Sequence, residues 1–262
     1  MSAADILTLV SGGLVGLTLG LIGGGGSILA VPLLLYAVGI PSTHVAIGTS
    51  AVAVAANAGV GVALHARART VKWPCAIVFA TAGVAGAFFG ARLGKAVDGT
   101  LLLSLFGLIM LAVGATMLRR KNGEGDPGVH LDKESAAKLL PSLTGYGLAV
   151  GALSGFFGIG GGFLIVPGLA NATNMPVINA VGSSLVSVAA FAVATAVSYA
   201  LSGLVDWHVA ALMLAGGAGG ALAGTALSRK LAAQKQMLTR VFAVIVILVG
   251  LYVSAKGIAA LL

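Results

Sequence analysis

Two glycine runs, Gly23 to Gly26 and Gly158 to Gly162, lie inside apolar sequence, and each is followed by a Val-Pro pair and then by adjacent hydroxyl residues. Glycine costs up to about 1 kcal/mol relative to alanine in a helix interior, so both runs predict breaks in a helix. In hydrocarbon every backbone N–H and C=O needs a partner, and a break at membrane depth is tolerated only where protein or a water-filled cavity surrounds it. If the chain restarts as a helix near Ser27 and Phe163, its first N–H groups and the positive end of its dipole point at the break. Such a site suits an anion without any basic side chain. The backbone donors expected there are those of Gly25, Gly26 and Ser27, and of Gly160, Gly161 and Gly162. Thr49-Ser50 and Ser183-Ser184 add hydroxyl donors, although such side chains also bond back to the preceding helical turn. Asn57 brings an amide into a long apolar segment and needs a partner there. Arg92 is a further candidate, with an interfacial anchor as its other reading.

These residues belong to a duplicated chain. Residues 14–33, LVGLTLGLIGGGGSILAVPL, recur as residues 149–168, AVGALSGFFGIGGGFLIVPG. The offset begins at 135 and becomes 134 after a one-residue deletion. Ala46 to Ser50 then matches Ala180 to Ser184, Val71-Lys72-Trp73 matches Val205-Asp206-Trp207, and Gly83, Gly86 and Gly90 match Gly217, Gly220 and Gly224. The late glycines read best as close helix packing. Asn57 has Phe191 as its counterpart, Gly24 faces Ile159 and Ser27 faces Gly162, so the halves are not interchangeable. Matched, glycine- or proline-interrupted apolar segments in two halves point to a transporter's binding site.

Of the 262 residues, 58% are hydrophobic and 8% charged, too few polar groups to cover a soluble globule. Each half reads as five apolar segments, about 4–22, 27–40, 44–64, 74–94 and 100–118, then 141–157, 162–173, 178–201, 208–227 and 238–260. The second of each five is too short for a full crossing. The expected fold is therefore an all-α membrane protein of two inverted-topology repeats with glycine-broken or re-entrant short helices. Its parts are residues 1–118, a polar cytoplasmic linker 119–140, and residues 141–262. The amino terminus lacks a basic leading region, and its apolar stretch is expected to remain as the first helix.

Lys and Arg collect in short loops, which sets topology and argues against a nucleic-acid partner. The loop with Arg67, Arg69 and Lys72, the linker, and the loop with Arg229, Lys230, Lys235 and Arg240 are expected on the cytoplasmic side. Their counterparts near 199–206 and 92–99 are not comparably basic, which predicts an odd number of crossings per half and both termini outside. Arg92 and Lys95 then face outward, against the trend. Four scattered histidines and one cysteine give no metal-ligand spacing, and no nucleophile-base pair or phosphate-binding loop is present. No enzyme activity, metal or cofactor is expected. No Asp or Glu falls in the middle of a predicted span, which disfavours a carboxylate proton relay.

The doubled glycine segment ending in Val31-Pro32 and Val166-Pro167, the Ala46–Ser50 and Ala180–Ser184 boxes, the elements at Trp73 and Trp207, and the late glycine helices resemble the sulfite exporter TauE/SafE family. The resemblance covers nearly the whole chain. It implies a multi-pass permease of the bacterial inner membrane that exports a small sulfur-containing anion such as sulfite or an organosulfonate. Joined to the residue reading, it gives a transporter whose halves alternate around an anion held at the glycine breaks. A passive anion channel, a cation carrier using unwound carbonyls, and a non-transport membrane scaffold remain alternatives. Small-residue helix faces also permit a homodimer.

Overall fold

The computed structural model describes residues 2–22, 24–119, 126, 129, 131, 133–158, 162–230 and 235–259, and every regular element among them is helical. The long helices are α1 (Ala3–Ile22), α3 (Thr43–Arg67), α4 (Trp73–Ala96) and α5 (Gly99–Arg119), then α6 (Lys133–Phe157), α8 (Val177–Ala200), α9 (Trp207–Lys230) and α10 (Lys235–Ala259). All eight are long and apolar enough to cross a membrane. Between α1 and α3 lies a composite segment: a 3-10 turn Gly24–Leu29, α2 (Ala30–Pro32) and a π turn Leu33–Val38. Its counterpart in the second half is α7 (Gly162–Thr173).

Local chemistry sets several boundaries. Ser42 caps α3 by accepting the Val45 N–H, and Asp98 caps α5 by accepting those of Thr100 and Leu101. Pro74 opens α4, where its missing N–H costs nothing. Gly39 at φ 85°, Gly158 at φ 67° and Asn174 at φ 57° end the composite segment, α6 and α7 in left-handed conformation.

Glycine contacts fix the directions of the helices. Gly12, Gly16 and Gly20 of α1 meet Met213, Gly217 and Ala221 of α9, so these two helices run parallel. In the same way Gly151 and Gly155 of α6 meet Gly83 and Ala87 of α4. The early glycines of each duplicated segment thus face the late glycines of the other half, where the absent Cβ lets the backbones touch. Helix α3 also parallels α9, with Thr49 at Asp206 and Asn57 at Gly217. Helix α4 parallels α8 through Phe79 on Phe191 and Lys95 on Ser198. By contrast, the equivalent helices α3 and α8 are antiparallel, with Gly48 at Tyr199 and Gly61 at Leu185. So are α5 and α10, with Gly107 at Ser254 and Gly114 at Ala243.

Because α1 and α3 both parallel α9, residues 23–42 must return the chain to the opposite end of the bundle. The ends of α3, α5 and α9 therefore lie together, and the turns holding Asp98 and Asp206 lie at the far end. At the first glycine run α1 ends at Ile22, the residues from Gly24 are wound as a tight 3-10 turn, and the chain after Pro32 loosens into π geometry. Gly26 explains the winding, since any Cβ there would strike the α1 backbone at Thr18 and Leu19.

Candidate functional site

The hydroxyl boxes and the Val-x-Trp elements prove to be two sides of one contact, made twice across the halves. Thr49 is fully buried, and its Oγ1 accepts the N–H of Asp206 at 2.9 Å. Its counterpart Ser183, also fully buried, accepts the N–H of Lys72 at 2.9 Å. Lys72 and Asp206 are themselves equivalent in the repeat. One residue earlier, a Cβ on Gly48 would strike the Leu204 carbonyl, and one on Gly182 would strike Thr70. Each box thus uses glycine to let the other half's loop approach and a hydroxyl to hold it. Asn179 adds a third tie by donating from Nδ2 to the Thr70 carbonyl at 3.0 Å. Ser50 and Ser184 instead donate back to Ile47 and Val181 at 2.9 and 2.8 Å.

At the first glycine run, Gly25 and Gly26 lie in the 3-10 turn and Ser27 is fully buried. The Thr18 hydroxyl has three carbonyls within reach, Leu14 and Val15 at 2.9 Å and Gly26 at 3.4 Å. In the second run Gly160 and Gly161 lie outside the described residues, and Gly162 is the first residue of α7. Helix α7 packs on the Gly24–Leu29 turn, so the short segments of the two halves meet. Gly158 abuts Ile47, next to the first hydroxyl box. The second break and the first box are thereby neighbours, and no described Asp, Glu, Lys or Arg lies among these residues.

Asn57 is buried, and neither amide atom has a hydrogen-bond partner. Arg92 is not drawn into this group: it is exposed on α4 with its guanidinium 4.7 Å from the centroid of the Phe88 ring. Sequence reasoning missed Lys95, whose Nζ donates to the Ser198 carbonyl at 2.9 Å and to Ser202 Oγ at 2.8 Å. It ties the end of α4 to the end of α8, and its place with Arg92 against the basic-loop trend was the available signal.

The description sulfite exporter TauE/SafE matches residues 8–253, nearly the whole of this duplicated helical chain. The chain belongs to the sulfite exporter TauE/SafE family. It is a multi-pass membrane transporter of that family. A probable membrane transporter protein of Xylella fastidiosa (strain 9a5c) is 49% identical over 98% of this chain and 97% of its own length. The probable membrane transporter protein YdhB of Bacillus subtilis is 30% identical over 80% of this chain and 85% of its own length. No solved structure matches it. Among the described residues no three His, Cys, Asp or Glu side chains group as metal ligands.

Proposed function

We propose that this protein exports a small sulfur-containing anion, such as sulfite or an organosulfonate, across the bacterial inner membrane by alternating access. The observation that carries the reading is the meeting of the two short segments, with α7 packed on the Gly24–Leu29 turn. Helix starts at membrane depth direct unpaired N–H groups and positive dipole ends at one place, which favours an anion. Membership of a family described as sulfite exporters supports sulfur as the central atom.

The antiparallel setting of equivalent helices α3 with α8 and α5 with α10 supports two inverted repeats, the architecture in which one half rocks against the other. The basic residues Arg67, Arg69 and Lys72 lie at the end of the bundle where α3, α5 and α9 finish, which supports that end as the cytoplasmic one. Trp73 and Trp207, 45% and 63% exposed, begin α4 and α9 at opposite ends, as interfacial anchors do. The purified protein, reconstituted into liposomes, is expected to take up sulfite, sulfoacetate or taurine saturably, with sulfate and chloride as controls. Linear, unsaturated flux of every anion would instead indicate a channel, and no flux of any would overturn the reading.

A further inference from the structure

Asn57 stands on α3 at 2% exposure with both Nδ2 and Oδ1 unpaired. Buried side-chain amides are nearly always satisfied, and an exception marks a place where water or a ligand completes the bonding. The amide faces α9, where any Cβ on Gly217 would collide with it. Beside it is a small cavity of about 10 Å³ between α1, α3, α8 and α9, lined also by Gly20, Gly61, His65, Leu185 and Thr225. That is room for about one water. Gly20 is in the last turns of α1, immediately before the Gly24–Leu29 turn, so the cavity adjoins the first glycine run.

The duplication supplies an internal control. The equivalents of Asn57, Gly61 and Thr225 are Phe191, Thr195 and Ala91. Phe191 rests on Gly83, the counterpart of Gly217, and stacks on Phe79 with ring centroids 6.3 Å apart. The same seam is thus a polar hollow in one half and an aromatic plug in the other.

We propose that solute passes on one side of the repeat only, through the α1–α3–α8–α9 seam, and that Asn57 binds it. Its Nδ2 donates to an oxygen of a small oxyanion, and its Oδ1 accepts from a protonated oxygen or a co-bound water. This inference rests on the transporter reading and names the residue that selects the solute. In the present conformation the hollow is too small for an oxyanion, so α3 must draw away from Gly217 to admit one. Phe191 keeps the matching seam shut.

The chain's single cysteine, Cys75, is buried on α4 outside this seam, so Cys75→Ala provides a thiol-free background. In that background Asn57→Cys and Phe191→Cys are exposed in proteoliposomes to a small anionic methanethiosulfonate. Asn57→Cys is expected to react about tenfold faster, the ratio given by a difference in seam opening of about 1.4 kcal/mol, and sulfoacetate is expected to slow it. Equal rates, or faster reaction at Phe191→Cys, would overturn the inference. If a cysteine variant does not fold, flux through Asn57→Asp and Phe191→Leu decides: the near-isosteric carboxylate is expected to abolish anion flux, and Phe191→Leu to retain it. Wild-type flux in Asn57→Asp would overturn the inference. One-sided labelling without flux of any sulfur anion would sink the substrate reading alone, and saturable flux with symmetric labelling would sink this inference alone.

Discussion

Thr49→Val removes the acceptor of the Asp206 N–H while keeping side-chain volume, and Ser183→Ala does the same to the Lys72 N–H. Both hydroxyls are fully buried, so each stranded N–H is expected to cost about 1–3 kcal/mol. The lower part of that range applies, because both contacts are only part-buried. Helices α3 and α8 are antiparallel with Gly61 beside Leu185, so Ser183 is level with residue 63 and Thr49 lies about fourteen residues, or about 21 Å, from it along α3. At that separation the two losses add. The chain's two tryptophans, Trp73 and Trp207, each follow a clasped residue directly, so each reports on its own contact. In a Trp73→Phe background, Thr49→Val is expected to shift Trp207 emission and lower the melting temperature. In a Trp207→Phe background, Ser183→Ala is expected to do so at Trp73. The double variant is expected to lose the sum. A double variant no less stable than either single one, or Thr49→Val disturbing Trp73 in place of Trp207, would refute the crossed clasp.

Gly26→Ala sets a methyl against the α1 backbone at Thr18 and Leu19 and is expected to displace the Gly24–Leu29 turn. The readout is anion flux per folded molecule, which should fall while the helical circular-dichroism spectrum persists. Gly217→Ala must push aside the Asn57 amide and part α3 from α9, and a destabilisation of about 1–3 kcal/mol, as for overpacking generally, should appear in detergent melts. Asp98 lies in the turn between α4 and α5, where the N–H groups of Leu101 and Thr100 hold its carboxyl below the usual carboxylate range. Its folded-state pKa is thus depressed, so its stabilisation is present above the ordinary carboxylate range and is lost as pH falls through the lowered value. Wild type should therefore melt above Asp98→Asn at neutral pH, with the gap closing in acid; a pH-independent gap would contradict that.

The duplication, the eight long spans and the start of α7 at Gly162 were legible because glycine, proline and apolar length act locally. The winding of the first glycine run was not, since Gly26 is seated by the backbone of α1 rather than by its own propensity. Gly16 and Gly20 read as part of one motif and Gly83 to Gly90 as another; only the directions of the helices reveal that each set packs on the other half. The sequence marks Thr49 and Ser183 as hydroxyl donors to an anion, and in the fold each accepts a loop N–H from a residue more than a hundred positions away. Such a partner has no local signature. Asn57 stood out as an amide facing no polar equivalent, and the fold then supplied the cavity beside it.

Counterflow of radiolabelled sulfite into proteoliposomes preloaded with unlabelled sulfite, at alkaline pH and without oxygen, tests the transporter account most directly. A carrier that alternates around one anion site predicts transient accumulation of label above the outside concentration, absent from liposomes bearing folded Gly26→Ala. Label that only equilibrates would mean a channel, and label that does not enter would mean that this protein does not carry sulfite.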